Sequence, residues 1–237
     1  MNDKEIETRD IKTILLGESG VGKTCIINRY INNEFSQEIE STLGSSFQTK
    51  EIQKGDINYK LNIWDTTGQE KYHSITNLFI KGSQIVILVY SIDSENSFKG
   101  LEYWYSSLKD NLQGEDYILA VIGSKCDLIN NEIVSEEEAE KFALEKNAIF
   151  KLVSAKQFPE GINELFNTLL DELIKKLFIM PNSSATIDIK KNKKKKKKKI
   201  LLICKEIAFF DFPYLLFDLY ELSKISSINR VIYIIFV

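Results

Sequence analysis

The sequence predicts a three-layer α/β fold in which helices cover both faces of a mainly parallel sheet. Two observations predict it. Apolar runs alternate along the chain with helical stretches, and several runs are nearly continuous rather than alternating with polar residues, as strands buried on both faces are. The runs are "IKTILLG" (11–17), "YKLNIWD" (59–65), "SQIVILVYS" (83–91), "YILAVIGS" (117–124) and "AIFKLVS" (148–154).

The first run passes through a glycine-rich turn into the helical stretch "KTCIINRYI". The third precedes "SFKGLEYWYSSLKDNL", where Tyr103, Trp104 and Tyr105 are assigned to packing. The fourth precedes "SEEEAEKFALEKN", which opens on Ser135 as N-cap with Glu138 three residues later. Its acidic run reads as a solvated helix start. After the last run, "GINELFNTLLDELIKKLF" places Ile162, Leu165, Phe166, Leu169, Leu170, Leu173, Ile174 and Leu177 on one face and closes the domain. In sheets of this kind ligands bind at the carboxyl ends of the strands.

With 237 residues, 43% of them hydrophobic and 27% charged, the chain has an ordinary globular make-up and one main domain is expected. Its formal charge of −3 hides an asymmetry. Residues 1–189 carry 19 basic and 30 acidic side chains, whereas 190–237 carry 12 and 4. The folded part would repel a phosphate backbone, so nucleic acid is excluded as a partner. Cys25, Cys126 and Cys204 lie far apart without metal-ligand spacing, which indicates a reducing compartment and no disulfide framework. The start "MNDKEIETRD" has no apolar signal region, so synthesis in the cytosol is expected.

The chemistry is expected at the strand ends. "GESGVGKT" (17–24) fits G-x-x-x-x-G-K-[ST] and opens a helix, so backbone N–H groups, the helix N-terminus and Lys23 converge on a polyphosphate. Thr24 is placed to bind an accompanying Mg²⁺. At this point ATP and GTP are both open. In "WDTTGQE" (64–70), Asp65 is suited to a metal-bound water, Gly68 to a γ-phosphate through its N–H, and Gln69 to orienting an attacking water.

Five motifs in order, "GESGVGKT", "STLGSSF", "WDTTGQE", "SKCD" and "SAK", make residues 9–178 resemble a small GTPase of the Ras superfamily, and within it a Rab. "YKLNIWDTTGQEKYHSIT" looks Rab-like, and "TLGSSF" resembles endosomal Rabs. The resemblance implies a P-loop NTPase fold with a six-stranded sheet, GTP or GDP with Mg²⁺, and slow hydrolysis without an activating protein. It carries the nucleotide site onto Gly17, Ser19, Gly20, Val21, Gly22, Lys23, Thr24 and Cys25, then Phe35, Thr42, Asp65 and Gly68. Ser124, Lys125 and Asp127 follow at the base, with Ser154, Ala155 and Lys156. Gln69, Thr42 and Lys23 take catalytic roles, and Thr24, Thr42 and Asp65 hold the metal. Exchange factor, activating protein and effectors would meet switch I (41–47) and switch II (66–76), Trp64 would face effectors, and the protein would act as a monomer in vesicle-mediated transport at the cytosolic face of endomembranes.

Two departures bear on that reading. Ser124 stands where the family has the Asn of N-K-x-D. Asp127 would still accept two hydrogen bonds from guanine, Lys125 would lie over the purine and the Ala155 N–H would meet O6. Ser124 is too short to touch the base and brace the phosphate loop at once, though its hydroxyl could bond locally or through water, so weaker binding and faster exchange are expected, with guanine preference intact. Thr67 stands where the family almost always has Ala; the added hydroxyl beside the γ-phosphate is expected either to slow the switch or to be a tolerated surface-loop change. A pseudo-GTPase binding module is the alternative function, and a P-loop kinase a third. His73, the single histidine, reads as an exposed loop residue.

The expected boundaries are a flexible N-terminus (1–8), the GTPase domain (9–180), a polybasic linker (181–199) and a hydrophobic tail (200–237). Cys204 lies 33 residues from the end, so prenylation at the last residues is not expected. "KKNKKKKKKK" (190–199) could draw anionic lipid. The favoured expectation is instead that the lysine run and tail are translated A- and T-rich non-coding sequence. Charges interrupt the tail too often for a spanning helix.

Overall fold

A computed structural model of the protein describes residues 6–37, 42, 45–69 and 73–179. The tail from residue 180 onward and the expectations placed on it lie outside them. Along the chain come β1 (Glu7–Leu16), α1 (Lys23–Asn32), β2 (Ser45–Lys54), β3 (Ile57–Thr66), α2 (His73–Ile80), β4 (Ile85–Ser91), α3 (Glu95–Asn111), β5 (Ile118–Ser124), a short 3-10 helix (Cys126–Asn131), α4 (Glu136–Glu145), β6 (Ile149–Leu152) and α5 (Pro159–Ile179). The sheet order is β2-β3-β1-β4-β5-β6, and only the β2–β3 pair is antiparallel. The six-stranded, mainly parallel α/β fold is therefore as expected.

Strand alternation explains the two cores. Along β4, Ile85, Ile87 and Val89 face a cluster completed by Ile26, Ile27 and Tyr30 of α1 and by Leu165, Phe166 and Leu169 of α5. Val86, Leu88 and Tyr90 face the other side, with Leu101, Trp104 and Leu108 of α3 and Ala139 and Ala143 of α4. Both faces are covered, which is why β4 is buried at every position. Tyr30 stacks on Phe166 with ring centroids 3.8 Å apart, fixing α1 against α5. α5 buries the expected face from Ile162 to Leu173, whereas Leu177 is 45% exposed.

Ser135 caps α4 by accepting the Glu138 N–H, as its sequence indicates. Ser94 does the same for α3 by accepting the Ser97 N–H. β1 sits between β3 and β4, where chain connections depart in opposite directions. The loop after β1 therefore opens at a switch point of the sheet.

Candidate nucleotide-binding site

A cavity of about 380 Å³ lies at that switch point. Its one end is walled by Gly20, Gly22, Lys23, Thr24, Thr42, Thr66, Thr67 and Gly68, its other by Phe35, Ser124, Lys125, Asp127, Ala155 and Lys156, with Ser19 and Cys25 also in the lining. Residues from five separate motifs thus meet in one concavity. Gly17 and Val21 are buried behind the loop, and Ser154 behind Asp127.

At the first end the chain leaves donors free. Gly22 precedes α1 in the left-handed region (φ 96°), which turns the loop so that α1 begins without a side-chain cap. Uncapped N–H groups and the helix dipole favour an anion here. The Lys23 ammonium is buried and, among the described residues, bonds to main-chain carbonyls, Gly17 O at 2.7 Å and Glu18 O at 2.8 Å. Burial pulls its pKa down to about 8, against the pull of Asp65 and Glu18. A phosphate would restore the charge that burial disfavours. Gly68 touches the loop from the far side: a Cβ there would lie 2.2 Å from the Glu18 carbonyl carbon, so only glycine permits the approach.

Behind the loop Thr24 Oγ1 donates to Asp65 Oδ2 at 2.7 Å and lies 3.0 Å from Thr42 Oγ1. Asp65 is 2% exposed, and its second oxygen, Oδ1, is buried without a partner among the described residues. Burial raises the Asp65 pKa, with Thr24, Lys23 and Thr42 opposing. Two hydroxyls and an unsatisfied carboxylate oxygen form a hard-oxygen set that fits Mg²⁺. No cluster of three His, Cys, Asp or Glu side chains competes for a metal among the described residues.

At the other end Lys125 adopts a left-handed conformation (φ 59°) that swings Asp127 into the cavity wall. Ser154 donates to Asp127 Oδ1 and accepts the N–H groups of Lys156 and Gln157, so the last motif orients the carboxylate. Arg29 Nε donates to Ala155 O at 2.7 Å, tying α1 to that motif. Arg29 was not singled out from the sequence, where a helical arginine carries no distinguishing pattern, and Ser154 of "SAK" was assigned to the site without its orienting bonds.

Ser124 makes one of the two contacts that it is too short to make together. It is 2% exposed, and its hydroxyl lies 2.5 Å from Val21 O and 2.7 Å from Tyr90 O. The serine does brace the phosphate loop directly, because β5 ends close enough to the loop for a short side chain to reach. Its proton is used on carbonyls, so none is left for the base. Thr67 is buried, not a surface change, and its hydroxyl accepts the Gln69 N–H at 3.2 Å. Gln69 itself is half-buried and does not line the cavity in this conformation. Trp64 packs between Phe47 and Phe79, with centroids 5.2 and 5.0 Å away. His73 opens α2 rather than lying in a loop, and its side chain is outside the described residues.

A phosphate cradle at the end of β1, with a carboxylate oriented for a base at the opposite end, defines a nucleotide-binding P-loop α/β protein. Residues 12–175 match the Ras family. Similar proteins include putative ras-related protein Rab-5B of Dictyostelium discoideum, 40% identical over 167 residues and covering 70% of this chain and 77% of that one. Ras-related protein Rab-17 of Homo sapiens is 36% identical over 170 residues, 72% of this chain and 79% of its own. Ras-like GTP-binding protein RYL2 of Yarrowia lipolytica is 36% identical over 178 residues, with 72% and 84% covered. The chain belongs to the Ras family and is a Rab-type small GTPase. The pseudo-GTPase alternative finds no support among these results.

Proposed function

We propose that the protein is a guanine-nucleotide switch of vesicle-mediated transport, binding effectors with GTP and releasing them after slow hydrolysis. The observation that carries this is the single cavity joining the Lys23 cradle to the Asp127 carboxylate. In this reading the phosphate loop from Gly17 to Cys25 holds the phosphates, with Lys23 neutralising them. Phe35 and Lys125 hold the purine, and Asp127, fixed by Ser154, accepts the two guanine donors beside the Ala155 N–H and Lys156. Adenine offers no such donor pair on that edge.

Thr24, Thr42 and Asp65 would hold Mg²⁺, which supplies positive charge against the phosphates. Gly68 offers its N–H to the terminal phosphate, and Gln69 orients the attacking water once its turn brings it into the cavity. An arginine from an activating protein would add the missing charge stabilisation.

Effectors, exchange factor and activating protein would dock on residues 41–47 and 66–76, beside the Phe47, Trp64 and Phe79 cluster. The domain of residues 9–180 would act as a monomer at the cytosolic face of an endomembrane. Residues 190–199 would offer nine lysines to anionic lipid. Among the described residues no helix is long and apolar enough to cross a membrane. The test is competition binding of GTP, GDP and ATP with and without Mg²⁺. A preference for GTP over ATP below tenfold would contradict the guanine assignment.

A further inference from the structure

Thr67 stands in the cavity wall at its phosphate end and is 3% exposed. Both its neighbours are held. The Thr66 hydroxyl donates to Leu15 O at 2.7 Å, and Gly68 is seated against the Glu18–Ser19 backbone. The Thr67 hydroxyl accepts the Gln69 N–H. A hydroxyl that accepts has a proton still to give, and among the described residues Thr67 donates it to no partner. A buried donor without a partner on the wall of an anion site is itself a pointer to what comes there.

We propose that Thr67 is a positioning residue that couples the terminal phosphate of a bound nucleoside triphosphate to Gln69, donating its proton to a phosphate oxygen while accepting the Gln69 N–H. The inference rests on the nucleotide reading of the cavity. Donation to a charged oxygen polarises the hydroxyl and strengthens it as an acceptor, so the turn holding Gln69 tightens when the phosphate is present and relaxes when it leaves. The residue thereby reports the phosphate to the segment that must respond to it. Serine retains both halves of this relay, whereas valine has the same shape and neither half.

The experiment compares the full chain with Thr67→Val and Thr67→Ser, each freed of nucleotide. Affinities for GDP and for a non-hydrolysable GTP analogue are measured, together with amide exchange at Gln69. The expected result is a loss of roughly tenfold in triphosphate affinity for Thr67→Val, GDP affinity within about twofold, faster Gln69 exchange in the triphosphate form, and restoration of all three by Thr67→Ser. Unchanged triphosphate affinity in Thr67→Val overturns the proposal. An equal fall for both nucleotides also overturns it, since that marks a purely structural role. If the wild type binds neither guanine nucleotide, the assignment of the cavity fails and the relay fails with it; if it binds both and the ratio is unmoved, only the relay fails.

Discussion

Removing the Ser124 hydroxyl should loosen the phosphate loop while leaving base choice alone. The hydroxyl lies within bonding distance of two carbonyls, Val21 O in the loop and Tyr90 O in β4, but it has one proton to share. Ser124→Ala therefore removes about one hydrogen bond, worth about 0.5–1.5 kcal/mol net and up to about 3 if a buried carbonyl is stranded. At about 1 kcal/mol the expected effect is roughly fivefold faster release of nucleotide. The assay is displacement of a fluorescent GDP by excess unlabelled GDP, with a urea midpoint on each protein to separate local loosening from global instability. Guanine preference should hold, because Asp127 and Ser154 belong to another bond set. Release unchanged within about twofold would show that the brace carries no free energy into the site. A collapse of guanine preference would show that Ser124 reads the base after all.

Three further outcomes are expected. Asp127→Ala should abolish discrimination of GTP from ATP, seen as competition curves for the two that coincide. Gly68→Ala should lower affinity for a GTP analogue by roughly tenfold or more, with a smaller effect on GDP, since a Cβ would collide with the Glu18 and Ser19 backbone and push the segment off the phosphate end; titration of both nucleotides checks the difference. Leu169→Ala, at a fully buried α5 position in the α1-side core, should cost about 2–5 kcal/mol, read as a lowered urea midpoint with unchanged slope.

The strands that lie in the middle of the sheet were legible because burial on both faces makes them continuous apolar runs. β2 was not. Its sequence "SSFQTKEIQK" is half-buried or exposed at every position of a sheet edge, so it lacks that signal. α2 was hidden because its eight residues, "HSITNLFI", are too few for a helical period to show. In the site, the phosphate-loop residues and the Asp65–Gln69 segment were legible from their motif spacing, whereas the residues assigned to the base followed from the family resemblance. What spacing could not give was reach: Ser124 touching Val21 O depends on how closely the end of β5 approaches the phosphate loop, a tertiary distance. The same holds for Arg29 gripping Ala155 O, a contact 126 residues apart in sequence.

The most direct test of the switch assignment is to purify the full chain without added nucleotide, denature it and identify what is released by chromatography. About one mole of guanine nucleotide per mole of folded protein is the predicted result. A folded protein that releases nothing, or adenine nucleotide, would contradict the assignment.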